Sequence, residues 1–501
     1  MPNLSISRDH PKPLSDQIAD RYQQLIERGT LASGTRIPSV REASKQFGVS
    51  PGTVVEAYRI LQQRNLVRSR PQSGYFVSPC DRSTCEPPRR TRPKLRILDV
   101  PAELSQRLHD AAGQSGVIGL GANIPNPDLM PMDALAREIS KAYRDPGARP
   151  FSYGPMEGTH ELRAAIARQM VSAGCSVAAD EIVITNGATE AINLALLATT
   201  KPGDVIAVES PTYHGFLELI GGLGLRILPI DSCTVDGISV SALERALRAR
   251  SVTAVLLIAS FTNPLGGVLS IEDRKRLVEL ASEHDIVIIE DNVYGDLAFD
   301  GSQLPAIKAF DTEGRVVHCS SFSKTLSPGL RLGWCVPGRH HNEVVHAKHR
   351  LNVATPVAPQ LAVARYLSGS GYERHLRRLR SAYAEQVEAM TAQVLASFPE
   401  GTRVSQPQGG SVLWVEMPEG YDALRLFHDA EAVGIAVAPG PLFDPESNYA
   451  NCIRLNCSHP WSPQIAGAVA RLGHLLDEQR QEREGGSAKA KRKPISAFRT
   501  G

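Results

Sequence analysis

The sequence has no uninterrupted apolar run of about 18 residues, the length a membrane-crossing helix needs, although 42% of its 501 residues are hydrophobic. The first 30 residues are too polar for the apolar segment of a secretory signal peptide, so a cytoplasmic location is expected. Cysteines are present, but Cys80, Cys85, Cys175, Cys233, Cys319, Cys335, Cys452 and Cys457 include no C-x-x-C pair. That spacing argues against a zinc site, and a reducing compartment disfavours disulfides, so ordinary thiols and no metal are expected. No internal repeat is evident. Net charge is nearly absent at +2, but this hides an asymmetry: residues 1–97 hold 17 Lys/Arg against 8 Asp/Glu, a net +9 that leaves −7 for the remainder. Positive charge concentrated in the first fifth points to a polyanion partner, a solvated charged surface being the plainer alternative.

A chain of this length and composition is globular and divides into two or three domains. From Leu14 to Glu27, Ile18, Tyr22, Leu25 and Ile26 recur at helical spacing, with Gly29 as a stop. Ser39 caps a second predicted helix that ends at Phe47-Gly48, and Ser50-Pro51 starts a third, with Ser50 as N-cap and Pro51 where its missing N–H costs nothing. Val54, Ala57, Tyr58 and Leu61 form that helix's apolar stripe. Two helices joined by Gly48-Val49-Ser50 read as a helix-turn-helix, and Leu66–Arg70, Pro71–Gly74 and Tyr75–Val77 read as a β-hairpin wing. Turn, cap, wing and basic excess together predict a module that binds double-stranded DNA.

Arg36-Ile37-Pro38-Ser39-Val40-Arg41, Val49-Ser50, Thr53-Val54, Ala57-Tyr58 and Leu61 resemble the pattern of the GntR-type winged-helix family. The resemblance implies DNA contacts at Arg36, Ser39, Arg41, Ser50 and Thr53, with Gly74 of the wing at the minor groove. Arginines would supply the salt-sensitive phosphate term and small polar residues would approach phosphates or base edges. Pro51 stands where many members carry a basic residue, so the operator is not read from family habit.

Residues 10–78 are assigned to this domain and 79–97 to a Pro- and Arg-rich linker, stiff and solvated, that holds the module away without packing tightly. Residues 98–478 alternate β-branched runs with amphipathic helices: Ile182–Thr185, Val205–Val208, Ala254–Ile258, Ile286–Ile289 and Val316–His318 predict an α/β sheet buried on both faces. Functional groups are expected at the strand C-termini. Lys324, in Ser321-Phe322-Ser323-Lys324-Thr325 with Arg331 close behind, is an amine flanked by phosphate-binding groups. A Schiff base with pyridoxal 5'-phosphate (PLP) requires that arrangement, because something else must hold the phosphate. Asn186-Gly187-Ala188-Thr189-Glu190 opens a helix after a strand, which suits a phosphate, although alone such a turn is more often a plain β-α connection. Tyr213 offers an aromatic face and is by itself more often core or surface. Asp291 ends an apolar run, where an unpaired carboxylate is costly and a protonated pyridine nitrogen would be a fitting partner.

In order and spacing, Gly187-Ala188-Thr189, Tyr213, Asn263, Asp291, Tyr294, Ser321, Ser323, Lys324 and Arg331 resemble the fold type I, class I aminotransferases over about residues 110 to 475. The resemblance implies large and small PLP-binding domains and Lys324 as the Schiff-base lysine. It places Asp291 at the pyridine nitrogen, Asn263 and Tyr294 at the phenolic oxygen, and Tyr213 on the ring. Gly187, Ala188, Thr189, Ser321, Ser323 and Arg331 fall to the phosphate. Tyr153 matches a tyrosine that reaches the partner subunit's phosphate, which implies a homodimer with shared sites. Arg454 matches an arginine that grips an α-carboxylate, and Asn123, in the loop Gly121–Pro131, is expected on the substrate side. Residues 479–501 are polar and basic and read as a disordered tail.

A winged helix followed by such a domain is similar to the MocR subgroup of GntR-type regulators. The expected function is a PLP-dependent transcription regulator that senses PLP or a small amino compound at Lys324. The runner-up is an active aminotransferase with a DNA-binding appendage. A winged helix that only dimerises is the poorest reading, since it leaves the basic excess unexplained.

Overall fold

The computed structural model describes residues 12–27, 31, 36–63, 66–70, 74–77, 87–89, 93, 96–98, 116–144, 149–444, 446 and 448–491. The chain divides into two compact units, Met1–Glu86 and Pro87–Gly501.

The first unit has α1 (Leu14–Glu27), α2 (Val40–Phe47), α3 (Pro51–Gln63) and the antiparallel hairpin β1 (Val67–Arg70) and β2 (Gly74–Val77). Local chemistry sets these limits. Ser39 and Glu42 form a reciprocal capping box at the start of α2, and Gly48 closes it in the left-handed region at φ 66°, donating its N–H to Ser44 O. Ser50 accepts from Thr53 N at 3.2 Å, and its hydroxyl meets that of Thr53 at 2.8 Å. Ile18, Tyr22, Phe47, Val54, Tyr58, Leu61 and Val67 bury a common core in which Tyr22 meets Phe47 and Tyr58 edge-on. The wing turn 71–73 and the thiols Cys80 and Cys85 lie outside the described residues.

The second unit is built on an eight-stranded sheet. In chain order its strands are β4 (Val183–Thr185), β5 (Val205–Ser210), β6 (Arg226–Cys233), β7 (Gly237–Ile238), β8 (Ala254–Leu257), β9 (Val287–Asp291), β10 (Val316–Ser321) and β11 (Gly333–Val336), following a short β3 (Ile118–Gly119) that pairs elsewhere. The spatial order is β4-β11-β10-β9-β8-β5-β6-β7. Strands β10, β9, β8, β5 and β6 run parallel, while β11 and β7 are antiparallel to their neighbours. Alternation explains why the strand sequences are almost wholly apolar. Ile206, Leu256, Ile289 and Val317 enter one buried cluster, and Val205, Val255, Ile288 and Val316 enter another on the opposite face. A four-stranded antiparallel sheet follows, ordered β12 (Arg403–Val404), β13 (Val412–Glu416), β16 (Cys452–Asn456) and β15 (Ala438–Pro439), while β14 (Ile435–Ala436) pairs with β3. No helix among the described residues is long and apolar enough to cross a membrane.

Two expectations are corrected. Described residues of the 79–97 linker, Arg89 and Arg96, make contacts with the rest of the second unit. Arg89 donates its backbone N–H to Glu416 at 2.6 Å and pairs with Glu419 at 3.1 Å, Arg96 pairs with Glu446, and Leu98 exchanges backbone hydrogen bonds with Ile227. The linker's positive charge thus meets carboxylates of the acidic remainder as well as water. The tail also begins later than 479, because the last helix spans Pro463–Lys491. Its stripe Leu472, Leu475, Leu476 and Gln479 is buried at i, i+3, i+4, i+7 spacing, Glu482 pairs with Arg425, and Arg483 lies over the Tyr421 ring. Residues 492–501 lie outside the described residues.

Candidate cofactor pocket and DNA-binding surface

The parallel strands deliver their C-terminal ends to one edge of the sheet, and the predicted polar residues follow those ends. Thr185 leads to Gly187 and the helix Ala188–Thr199, Ser210 to Tyr213, Leu257 to Asn263, and Ser321 to Lys324, while Asp291 itself ends β9. Arg454 comes from β16 of the small sheet. Tyr213, Asn263, Asp291, Ser321, Lys324 and Arg454 line a cavity of about 430 Å³, with Gly187 just before its lining residue Ala188.

Buried charge dominates this cavity. Lys324 donates from Nζ to Asn123 O, and its pKa is drawn down to about 8 by burial and by Arg454, with Asp291 opposing. Burial pushes Asp291 up to about 7; one of its oxygens accepts from Val293 N at 3.2 Å. Such a carboxylate calls for a cationic partner from the cavity. Tyr294, whose pKa is raised chiefly by burial, accepts from Asn123 Nδ2 at 2.9 Å and Asn263 Nδ2 at 3.3 Å. With both acceptor positions occupied by amide N–H groups, its own proton is left for donation. Arg454 is fully buried, donates to Asn263 Oδ1 at 2.9 Å and to Gly121 O, and lies over the Phe443 ring at 4.9 Å. Burial lowers its pKa to about 10, so it stays charged at neutral pH, and its Nε has no hydrogen-bond partner among the described residues.

Space and donor chemistry both fit a phosphorylated, aldehyde-bearing ring. Gly187 sits at φ 87°, and a Cβ there would lie 2.5 Å from Arg331 Nη2, so glycine alone leaves room for that guanidinium. Arg331 donates to Asn186 O at 2.9 Å beside the N-terminus of the helix Ala188–Thr199, where free N–H groups and the helix dipole favour an anion. Ala188, Thr189, Ser321 and Ser323 also line the cavity.

Asn123, Tyr213, Asn263, Asp291, Tyr294, Lys324 and Arg454 are thus brought together, with the phosphate-side residues beside them. Tyr153 is not in this cavity: it is 87% exposed. The structure adds contributors that no motif announced. Ser411 donates to Asn123 Oδ1 at 2.9 Å, and the Gly121 carbonyl receives Arg454. His214 and Glu218, 3.4 Å apart, line the wall beyond Tyr213, where a Cβ on Gly215 would strike the Tyr213 ring at 2.5 Å.

In the first unit, Arg36 bridges to Phe76 of the wing, and its guanidinium lies against Gly74, which has φ 103°. Exposed Arg41 stands in the first turn of α2. The Ser39 hydroxyl is engaged in capping, accepting from Glu42 N at 3.3 Å, and Ser50 and Thr53 occupy the start of α3.

Residues 14–77 match the bacterial regulatory proteins of the gntR family, and residues 115–472 match aminotransferase class I and II. The uncharacterized HTH-type transcriptional regulator YjiR of Escherichia coli is 36% identical over 91% of this chain and 98% of its own length. The chain belongs to the aminotransferase class I and II family, within the MocR subgroup of GntR-type regulators. A probable rhizopine catabolism regulatory protein, MocR of Rhizobium meliloti, is 26% identical to this MocR-type chain over 87% of the chain and 88% of its own length. Among solved structures, alpha-aminoadipate aminotransferase LysN of Thermus thermophilus, complexed with N-(5'-phosphopyridoxyl)-L-leucine, superposes with TM-score 0.70 at 30% identity, over 76% of this chain and 96% of LysN. This MocR-type regulator therefore carries the fold of an aminotransferase behind a DNA-binding domain.

Proposed function

We propose that this regulator binds PLP covalently at Lys324 and reads an amino compound there, changing how its winged helix engages DNA. The observation that carries the reading is the convergence of Lys324, Asp291, Arg331 and Arg454 on one cavity, in a chain that begins with a winged helix. Bound there, PLP supplies an aldehyde that condenses with primary amines and a ring that withdraws electrons. Lys324, with its pKa lowered to about 8, yields a neutral amine more readily than an ordinary lysine. Asp291 would keep the pyridine nitrogen protonated, Tyr294 and Asn263 would serve the phenolic oxygen, and Tyr213 would cover the ring. Ala188, Thr189, Ser321, Ser323 and Arg331 hold the phosphate next to Gly187. Arg454, with its unpartnered Nε, receives the effector's carboxylate, and Asn123 lines the same side.

Arg36, Ser39, Arg41, Ser50, Thr53 and Gly74 form the DNA-contacting surface of a cytoplasmic homodimer. Exposed Tyr143, Phe151 and Tyr153 support the dimer, since aromatic area of this kind is normally covered. An effector shifts the dimer only as far as it binds its two arrangements unequally. The test is a spectral titration of PLP-loaded protein with amino acids and amines, followed by DNA binding with each hit, and borohydride trapping read by mass. An adduct at Lys324 and an effector-dependent DNA affinity are expected; no adduct with PLP in excess overturns the reading.

A second reading, slow transamination, is favoured by the lowered pKa of Lys324, which suits a proton-transferring base, and by the likeness to LysN. Formation of keto acid at about 10 per second would make it the main activity.

A further inference from the structure

The turn Asn186–Thr189 is clamped from both sides. Arg331 Nη2 holds the carbonyl of Asn186 at 2.9 Å, while Glu190 accepts the backbone N–H of Asn186 on Oε2 and its side-chain Nδ2 on Oε1 at 3.3 Å. The same Oε1 accepts from Asn352 Nδ2. Asn352 Oδ1 in turn accepts from Lys348 Nζ at 3.0 Å, and Lys348 also donates to Thr355 Oγ1 at 2.9 Å. Lys348 is fully buried. Its ammonium is drawn toward neutrality by burial, and the Glu190 charge opposes that.

We propose that Glu190 is a positioning residue for the phosphate-binding turn, anchoring Asn186–Thr189 through Asn352 and Lys348 to the end of the helix His341–Asn352. The inference rests on the reading that this turn holds the cofactor's phosphate. Two features separate Glu190 from an ordinary acid in a first helical turn. Both donors of Asn186 converge on it, so the direction of the N–H groups that follow depends on where its carboxylate sits. The turn also has no room to slide toward the sheet, because a Cβ on Gly333 would lie 2.5 Å from the Gly187 carbonyl carbon. A carboxylate so near an anion site would repel phosphate, and the Lys348–Asn352 anchor both offsets that charge and aims the carboxylate at Asn186.

Lys348 and Thr355 lie on either side of Val353, a β-branched residue at φ 64° whose turn is closed by Ala354 N donating to Asn352 O at 2.7 Å. The anchor therefore ends at a strained corner.

The experiment compares PLP with pyridoxal, which has the same aldehyde and ring but no phosphate, on full-length protein. Wild type, Glu190→Ala, Glu190→Gln and Asn352→Ala are titrated spectroscopically with each. Loss of hydrogen bonds to a charged group should lower the PLP affinity of Glu190→Ala about tenfold and leave pyridoxal within about twofold. Asn352→Ala should move the same ratio in the same direction by less. Glu190→Gln should fall between wild type and Glu190→Ala, because its amide oxygen still accepts from Asn186. A merely structural defect would weaken both ligands together and overturns the proposal, as does an unchanged or increased preference for PLP in Glu190→Ala. If Glu190→Ala does not fold, an unchanged ratio in both Glu190→Gln and Asn352→Ala overturns it. Wild type that binds neither ligand covalently defeats the cofactor reading itself, which is a different result.

Discussion

The winged-helix unit and the cofactor unit place their functional polar groups in opposite settings. Around α2 and α3, Arg36, Arg41 and Ser50 are exposed, and Ser39, Ser50 and Thr53 make their hydrogen bonds within three residues of themselves. In the cofactor pocket, Asp291, Tyr294, Asn263 and Arg454 are buried, and the partners of the last three are remote in sequence. Asn123 reaches Tyr294 across 171 residues and Arg454 reaches Gly121 across 333. A DNA reader needs charge that water has not been driven from, because its ligand is large and comes to the surface. A covalent sensor needs the reverse. Removing water shifts pKa values and makes each unpaired donor costly until a ligand arrives.

The contrast breaks if the units are not separable. Lys324→Ala should abolish the visible absorbance of bound PLP and the borohydride adduct, the largest effect, while effector-free DNA affinity stays within about twofold. Equal loss of both would show the two settings to be one. Arg454→Ala should cost carboxylate-bearing effectors about 100-fold in spectral titrations and spare amines without a carboxylate, because a buried charged contact is lost only for the former. The burial argument sharpens with pH. The lowered pKa of Lys324, about 8, means that the neutral amine accumulates as pH rises through that value. Capture of PLP should therefore accelerate about tenfold between pH 7 and pH 9 in stopped-flow absorbance, and a flat profile would deny the lowered pKa.

On the exposed side, Arg41→Ala should weaken operator binding about tenfold and reduce the slope of log affinity against log salt by about 1, with PLP binding unchanged. Ser39→Ala, which removes the cap of α2, should cost about 1 kcal/mol in denaturant unfolding of the winged helix, the smallest effect here.

Legibility followed the same division. The limits of α2 and α3 could be read because Ser39, Gly48, Ser50 and Pro51 act on backbone groups within a turn of themselves. Asp291 could be read because an unpaired acid ending an apolar strand is costly, and Lys324 because hydroxyls and an arginine suited to a phosphate flank it. Ser411, the Gly121 carbonyl and the Glu190–Asn352–Lys348 anchor had no such signal: their residue types are common and their partners distant. The linker and the tail were misread for a related reason. Arg89 and Gln479 look like solvent-facing residues until Glu416 and the Asp422 turn are brought against them.

Residue chemistry and short-range periodicity pointed to a winged helix joined to an α/β domain and to Lys324 and Asp291 as candidates, while the resemblance to class I aminotransferases supplied the rest of the candidate set. Folding alone settled how those side chains face one another: that Tyr294 keeps a proton to give, that Arg454 has a donor unspent, and that Tyr153 stands outside its own chain's pocket. Hydrogen bonding and burial depend on the register of strands far apart in the chain, and no local pattern encodes that register.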